Sequence, residues 1–288
     1  MLGGSRSSGS VRVVIEPIRV TDADDSRLAD YRHLRDADIR RSMEGDVFLI
    51  AEGVAVVRRL AASALEVRSV LLTPNRWESM RSSLSHLGCP IYVAEPDIVA
   101  GTAGFNLHRG VIASARRPDP VSLEQLLDRA PRNGSFHRLA VLEGVNDHEN
   151  LGAIARAARA FDIDALVLDP TCADPYYRRS VRVSMGEVLF LPVIRSTVRE
   201  VIDACASRGG ESWALTPRAE AHDITRISGR SSGPLALLLG AEGPGLSDES
   251  LQVATRKVRI PISADVDSLN VGHAAAVAFA FTSWRMDA

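Results

Sequence analysis

LAVLEGVNDHENLGAIARAARAFDIDALVL, residues 139–168, decides the architecture of this chain. The apolar run at 139–142 reads as a buried strand. Apolar residues then recur at Ile154, Ala157, Ala158 and Phe161, the i, i+3, i+4, i+7 spacing of a helix with one buried face, predicted over 151–161. A second apolar run follows at 165–168. Strand, helix and strand in so short a span make a βαβ unit, whose two strands run parallel. The alternation continues downstream, with strands predicted at 189–194, 213–216, 235–239 and 258–262 and helices at 198–207 and 271–284. Repeated units of this kind imply an α/β fold with a parallel sheet covered on both faces, and ligands at the carboxyl ends of its strands.

Upstream, a second and smaller α/β unit is predicted, with strands at 48–51, 67–72, 90–94 and 110–115 and helices at 53–65 and 77–87. Residues 116–136 carry three prolines and read as a connection with one short helix inside. The expected organisation is a first domain at 1–118, with a disordered leader at 1–10, a linker at 119–136 and a second domain at 137–288.

With 288 residues, 45% hydrophobic and 24% charged, the chain is excluded from the collagen, coiled-coil and wholly disordered classes. Its net charge of −2 announces no global attraction to polyanions. The charge is unevenly spread, with 16 arginines against 14 acids in residues 1–118 and 18 cations against 22 acids in the rest. GTAGFNLHRGVIASARR, residues 101–117, contains no acid and offers Phe105, His108, Arg109, Arg116 and Arg117 either to RNA or as ordinary flanks of a core strand. Tyr176, Tyr177, Arg178 and Arg179 form a second aromatic and basic group open to the same two readings. Lys257 is the single lysine among 34 basic residues, and arginine is the cation that pairs bidentately with phosphate. Cys89, Cys172 and Cys205 are odd in number and widely spaced, which suits a reducing cytoplasm. No metal-ligand spacing and no bilayer-length apolar run are present, so neither a metal nor a membrane is expected.

Three segments lie where predicted strands end. EGVNDHENLGAIARAARA, 143–160, places Asn150 at the helix N-cap position and Arg156 with Arg159 on the polar face. LLLGAEGPGLS, 237–247, sets three glycines and Glu242 in a tight turn that lacks the lysine of a nucleoside-triphosphate loop and the G-x-G-x-x-G order of a dinucleotide site. IPISADVDSLNVGHAAA, 260–276, leads through Ser268, Leu269 and Asn270 into a helix with almost no polar face, which must be buried in the core or against a second subunit.

In this order the three segments resemble the SpoU/TrmH family of RNA ribose 2′-O-methyltransferases, within the SPOUT class. The matching residues are Asn150 and Arg156 in the first motif, Gly240, Glu242, Gly243, Gly245 and Leu246 in the second, and Ile260, Pro261, Ser268, Leu269, Asn270 and Val271 in the third. SMGEVLFLP at 184–192 looks like a further family element, and the stretches FLIAEGVAVVRRL and HRGVIA are similar to the ribosomal-protein-like RNA-binding domain often fused ahead of such domains. The departures are His148 and Glu149 in place of a proline-containing turn, Ala241 for asparagine, Ile262 for methionine, and Gly272 with His273 at the start of the last helix.

The resemblance implies a C-terminal parallel-sheet domain with a deep trefoil knot. It implies S-adenosylmethionine as methyl donor, held by Gly240, Ile260 and Leu269, while the apolar last helix itself favours partial burial in a homodimer. It implies a catalytic group of Asn150, Arg156, Glu242, Ser268 and Asn270. Neutralising an arginine at pH 7 costs roughly 7 to 9 kcal/mol, so the implied role of Arg156 is a phosphate clamp rather than a base. Asn150 and Asn270 would then orient Arg156 and the ribose, Glu242 would fix Arg156 or nearby amides, and Ser268 would position the nucleotide. Ribosomal RNA is favoured over transfer RNA by the added N-terminal domain. The competing reading is a non-catalytic RNA-binding assembly factor on the same fold.

Overall fold

The computed structural model describes residues 16–35, 43–45, 47–107, 109–132, 136–227 and 232–284; the leader at 1–10 and His108 lie outside them. The first sheet is built from β1 (Ile18–Arg19), β2 (Phe48–Glu52), β3 (Val67–Leu72), β4 (Ile91–Val93) and β5 (Val111–Arg116). Helices α1 (Val54–Ala62), α2 (Pro74–Leu84) and α3 (Pro96–Ala103) connect them. Among the described residues the strand order is β1-β4-β3-β5-β2, with β5 antiparallel to both of its neighbours. Strand β1 and helix α3 were not anticipated: the strand has two residues, and the helix opens on Pro96, which suits a first turn but reads in sequence as a break.

A short helix α4 (Leu123–Leu127) follows, started by a reciprocal capping box between Ser122 and Gln125. Its three leucines are buried beside residues of the second sheet.

That sheet comprises β6 (Arg138–Glu143), β7 (Ala165–Leu168), β8 (Val193–Arg195), β9 (Glu211–Leu215), β10 (His222–Asp223), β11 (Leu235–Gly240) and β12 (Arg256–Arg259). Helices α5 (His148–Ala160), α6 (Arg178–Val183), α7 (Val198–Ala206), α8 (Asp248–Val253) and α9 (Val271–Trp284) complete it. The strands run in the order β10-β12-β9-β11-β6-β7-β8, and all their pairings are parallel. Chain order reverses between β6 and β11, where Glu143 pairs in register with Gly240. This switch point is where an open parallel sheet leaves a crevice.

Two predicted elements shift. The expected strand at 189–194 is a 3-10 turn at Glu187–Phe190 followed by the short strand β8. Met185 and Gly186 adopt φ of 57° and 83°, and this left-handed turn directs Val188, Leu189 and Leu191 into the core instead of along a strand. The expected strand at 258–262 ends at Arg259, because Pro261 has no N–H to offer a neighbour. Residues 261–270 are exposed irregular chain that carries α9 back past the ends of β9 and β11 onto α5.

The buried stripe of α5 begins one turn earlier than expected, at Leu151, Ile154, Ala155 and Ala158, leaving Ala157 and Phe161 half-buried. One apolar cluster runs through both sheets, joining Leu49, Val56 and Leu72 to Leu142, Leu151 and Ile154. Ion pairs close the seam: Glu52 with Arg178 at 2.7 Å, Asp174 with Arg117 at 2.6 Å, and Glu187 with Arg59 at 2.8 Å.

Candidate functional site

At the end of β11 the chain turns back on itself, Gly245 N–H donating to the Ala241 carbonyl at 3.0 Å. A Cβ on Gly240 would lie 2.1 Å from the Gly245 carbonyl carbon, so no other residue fits there. Gly243 and Gly245 take φ of 86° and 72°. The far side of the turn is pinned by Glu143, which accepts from Ser247 N–H at 3.0 Å and from the Ser247 and Ser250 hydroxyls at 2.8 and 2.9 Å. Sequence reasoning passed over Glu143, although an acid at the carboxyl end of the central strand was the available signal.

Beneath this turn lies a cavity of about 440 Å³ at the carboxyl ends of β9, β11 and β12. Its lining includes the three residues assigned to the donor, Gly240, Ile260 and Leu269, together with Glu242, Ser268 and Asn270. Ile262 and Leu269 present apolar side chains there at 36% and 37% exposure.

Asn270 ties the elements together. Its Nδ2 donates to Asn150 Oδ1 at 2.8 Å and to Glu242 Oε1 at 2.6 Å. Its Oδ1 accepts from the Gly272 and His273 N–H groups at 2.9 and 3.3 Å, capping α9. One carboxamide therefore joins α5, the glycine turn and α9. Asn150 is not the cap of α5, as its sequence position suggested. Asp147 is, accepting from the Glu149 and Asn150 N–H groups at 2.7 and 2.9 Å. The Asn150 N–H, then that of Glu149, holds the Asp147 carboxyl below its ordinary range. Asn150 is thereby freed to turn its side chain, nearly buried, towards Asn270.

Arg156, about two turns along α5, is exposed and among the described residues has no hydrogen bond or ion pair. Glu242 holds Asn270 rather than Arg156, which corrects one of its two expected roles. The guanidinium is thus uncommitted on the helix that also carries Asn150, as an anion clamp requires.

The expected RNA-facing residues divide. Arg109 is exposed, and Arg116 is 62% exposed with Asp119 at 3.7 Å. Arg179 is exposed but bonded to Glu149 at 2.6 Å. Arg117 and Arg178 are structural instead: Arg117 makes a two-pronged bond to Asp174 and donates to the Phe48 carbonyl, while Arg178 pairs with the buried Glu52 and donates to the Leu34 carbonyl. Phe105 is half-buried, with the Arg35 and Arg178 guanidiniums 5.7 and 5.1 Å from its ring, so its faces are already in use. Among the described residues no group of His, Cys, Asp and Glu is arranged to hold a metal ion, and no helix is long and apolar enough to cross a membrane.

Comparison with known proteins gives these features a family. Residues 137–280 match the SpoU rRNA methylase family. An uncharacterized tRNA/rRNA methyltransferase of Mycobacterium bovis is 43% identical over 264 residues, covering 90% of this chain and 89% of the relative. The 23S rRNA (guanosine-2′-O-)-methyltransferase of Ralstonia nicotianae is 29% identical over 230 residues, 77% of this chain and 90% of its own. The crystal structure of an AdoMet-bound rRNA methyltransferase from Sinorhizobium meliloti superposes with a TM-score of 0.74 at 23% identity, covering 93% of this chain and 98% of that one. The shared architecture is the knotted SPOUT fold. The chain belongs to the SpoU rRNA methylase family.

Proposed function

We propose that this protein transfers a methyl group from S-adenosylmethionine to a ribose 2′-OH of ribosomal RNA. The observation that carries the reading is the Asn150–Asn270–Glu242 group, closed at 2.8 and 2.6 Å over the cavity, with the unpartnered Arg156 on the same helix as Asn150. The residues present fit the donor. Leu269 and Ile262 leave apolar surface open in the cavity wall, and the Gly240 turn brings backbone groups to its rim without a side chain in the way. When bound, S-adenosylmethionine supplies a methyl group on a positively charged sulfur. Arg156 would hold the phosphate beside the target ribose, and Asn270, fixed at three points, would keep the glycine turn and α5 in register around it. The rRNA relatives and the additional N-terminal sheet support ribosomal over transfer RNA.

The reading includes a cytoplasmic homodimer. Ile262, Val266 and Leu269 are exposed on one segment, and α9 keeps several apolar side chains only half-buried, a surface suited to a second copy of the chain. Light scattering on the native chain and a Val266→Asp variant tests this, with a monomeric native chain as the contrary result.

The activity is tested by incubating the chain with labelled S-adenosylmethionine and ribosomal RNA from cells that lack it, then mapping ribose methylation. Label in one new 2′-O-methyl nucleotide supports the proposal. Calorimetric binding of S-adenosylmethionine without transfer to any stable RNA would favour the non-catalytic assembly factor.

A further inference from the structure

The seam between the two sheets contains a second cavity, of about 770 Å³, outside the group just described. Its floor holds one guanidinium between two carboxylates. Arg117 and Asp174 bond each other there at 2.6 and 3.0 Å, with Glu44 3.9 Å from the same guanidinium. Its rim is of different chemistry. His148 and Tyr177 bring their rings to 4.6 Å between centroids at a tilt of 52°, so they form an open V rather than a closed stack. Asn146 is exposed and among the described residues has no hydrogen-bond partner.

Arg195 reaches the same rim from the end of β8. Its guanidinium donates to the carbonyls of Asp169, Cys172 and Ala173 at 3.1 to 3.3 Å. No carboxylate is bonded to it among the described residues, so its position is fixed while its charge is not neutralised. Arg179 stands opposite, bonded to Glu149.

Aromatic rings, a free carboxamide and a fixed guanidinium around a nucleotide-sized recess are the elements of a single-stranded RNA subsite. The rings take a base by stacking, the carboxamide can read its edge, and the guanidinium neutralises a phosphate. Its place in the chain matters as much. His148 opens α5 two residues before Asn150, so the recess and the Asn270 group lie on either side of one turn of chain.

We propose that this recess binds an unpaired nucleotide flanking the one that is methylated, its base against Tyr177 and His148 and its phosphate at Arg195. The inference rests on the RNA methyltransferase reading and adds to it a determinant of which RNA segment is accepted.

The test uses the full-length chain and short single-stranded oligoribonucleotides carrying 2-aminopurine, whose fluorescence falls on stacking. Quenching and affinity are measured for the native chain and for Tyr177→Leu, Tyr177→Phe and Arg195→Gln. S-adenosylmethionine binding is measured in parallel by calorimetry. Tyr177→Leu should lose the quenching and weaken binding by roughly tenfold, and Tyr177→Phe should retain both. Arg195→Gln should reduce the steepness of log affinity against log salt by about 0.7, the share of one phosphate, which a merely structural arginine would not do. All three should bind S-adenosylmethionine as the native chain does. Equal quenching and affinity in the native and Tyr177→Leu chains, an unchanged salt slope in Arg195→Gln, or no oligonucleotide binding by the native chain would overturn the proposal. Failure of the parent reading is separate, since it would appear as a native chain that binds no S-adenosylmethionine.

Discussion

Asn270 shows how much chemistry one carboxamide can organise. Both hydrogens of its Nδ2 are used, one towards Asn150 and one towards Glu242. Asn270→Asp keeps the shape but removes both donors and sets a second carboxylate against Glu242. Turnover should fall roughly 100-fold. Two facing carboxylates favour sharing one proton, and a shared proton restores a hydrogen bond between them. The ratio of variant to native activity should therefore rise as pH is lowered between about 8 and 5, and a flat ratio in the pH–rate profile would count against the contact. Arg156→Lys keeps the charge and loses the planar fork. It should lower turnover by roughly tenfold or more with S-adenosylmethionine binding unchanged, and near-native single-turnover rates would remove the clamp role. Residue-scale function was only partly legible in the sequence. Asn150, Glu242 and Asn270 meet, but Arg117 and Arg178 looked available for RNA because their acids, Asp174 and Glu52, stand 57 and 126 residues away. Spacing along the chain cannot reveal such a partner.

Elements were legible where one force decides them. Strands β3 and β7 and helix α9 match their predicted bounds, because short runs with buried apolar residues and a helix with almost no polar face leave little choice. The 185–192 region was misread because left-handed Met185 and Gly186 override an apolar run that would otherwise extend. The start of α5 was misplaced by three residues, since N-D-H-E-N offers three capping side chains and only tertiary contact assigns Asn150 elsewhere. Asp147→Ala should cost about 1 kcal/mol of stability. The Asp147 carboxyl titrates below its ordinary value in the folded chain, so its contribution is present above about pH 4 and lost as pH falls through the lowered value. Urea unfolding at neutral pH and again below pH 3 checks both magnitude and sign: the difference between variant and native should shrink in acid.

At the scale of the molecule, the two sheets behave as one packed body, sharing an apolar cluster and a seam of arginine–carboxylate pairs. Length and alternation suggested two units, yet they gave no sign of how firmly these are joined, because the seam depends on pairs distant in sequence. Glu52→Ala should strand the Arg178 guanidinium, whose side chain is only 19% exposed, and destabilise the chain by about 3 kcal/mol. That is the lower end for a broken buried pair, as Arg178 keeps the Leu34 carbonyl. Denaturant titration followed by circular dichroism measures it, and a loss below 0.5 kcal/mol would show the pair to be dispensable. The bond from Asn270 to Asn150 spans 120 positions. During synthesis, every residue assigned to catalysis except the last two, Ser268 and Asn270, emerges before the group can close. A nascent or prematurely terminated chain ending before Ser268 would carry Arg156 and the glycine turn without the side chain that joins them. Competence therefore waits for the segment that carries Asn270, and copies that stop short of it would be inert towards the RNA around the ribosomes that produce them.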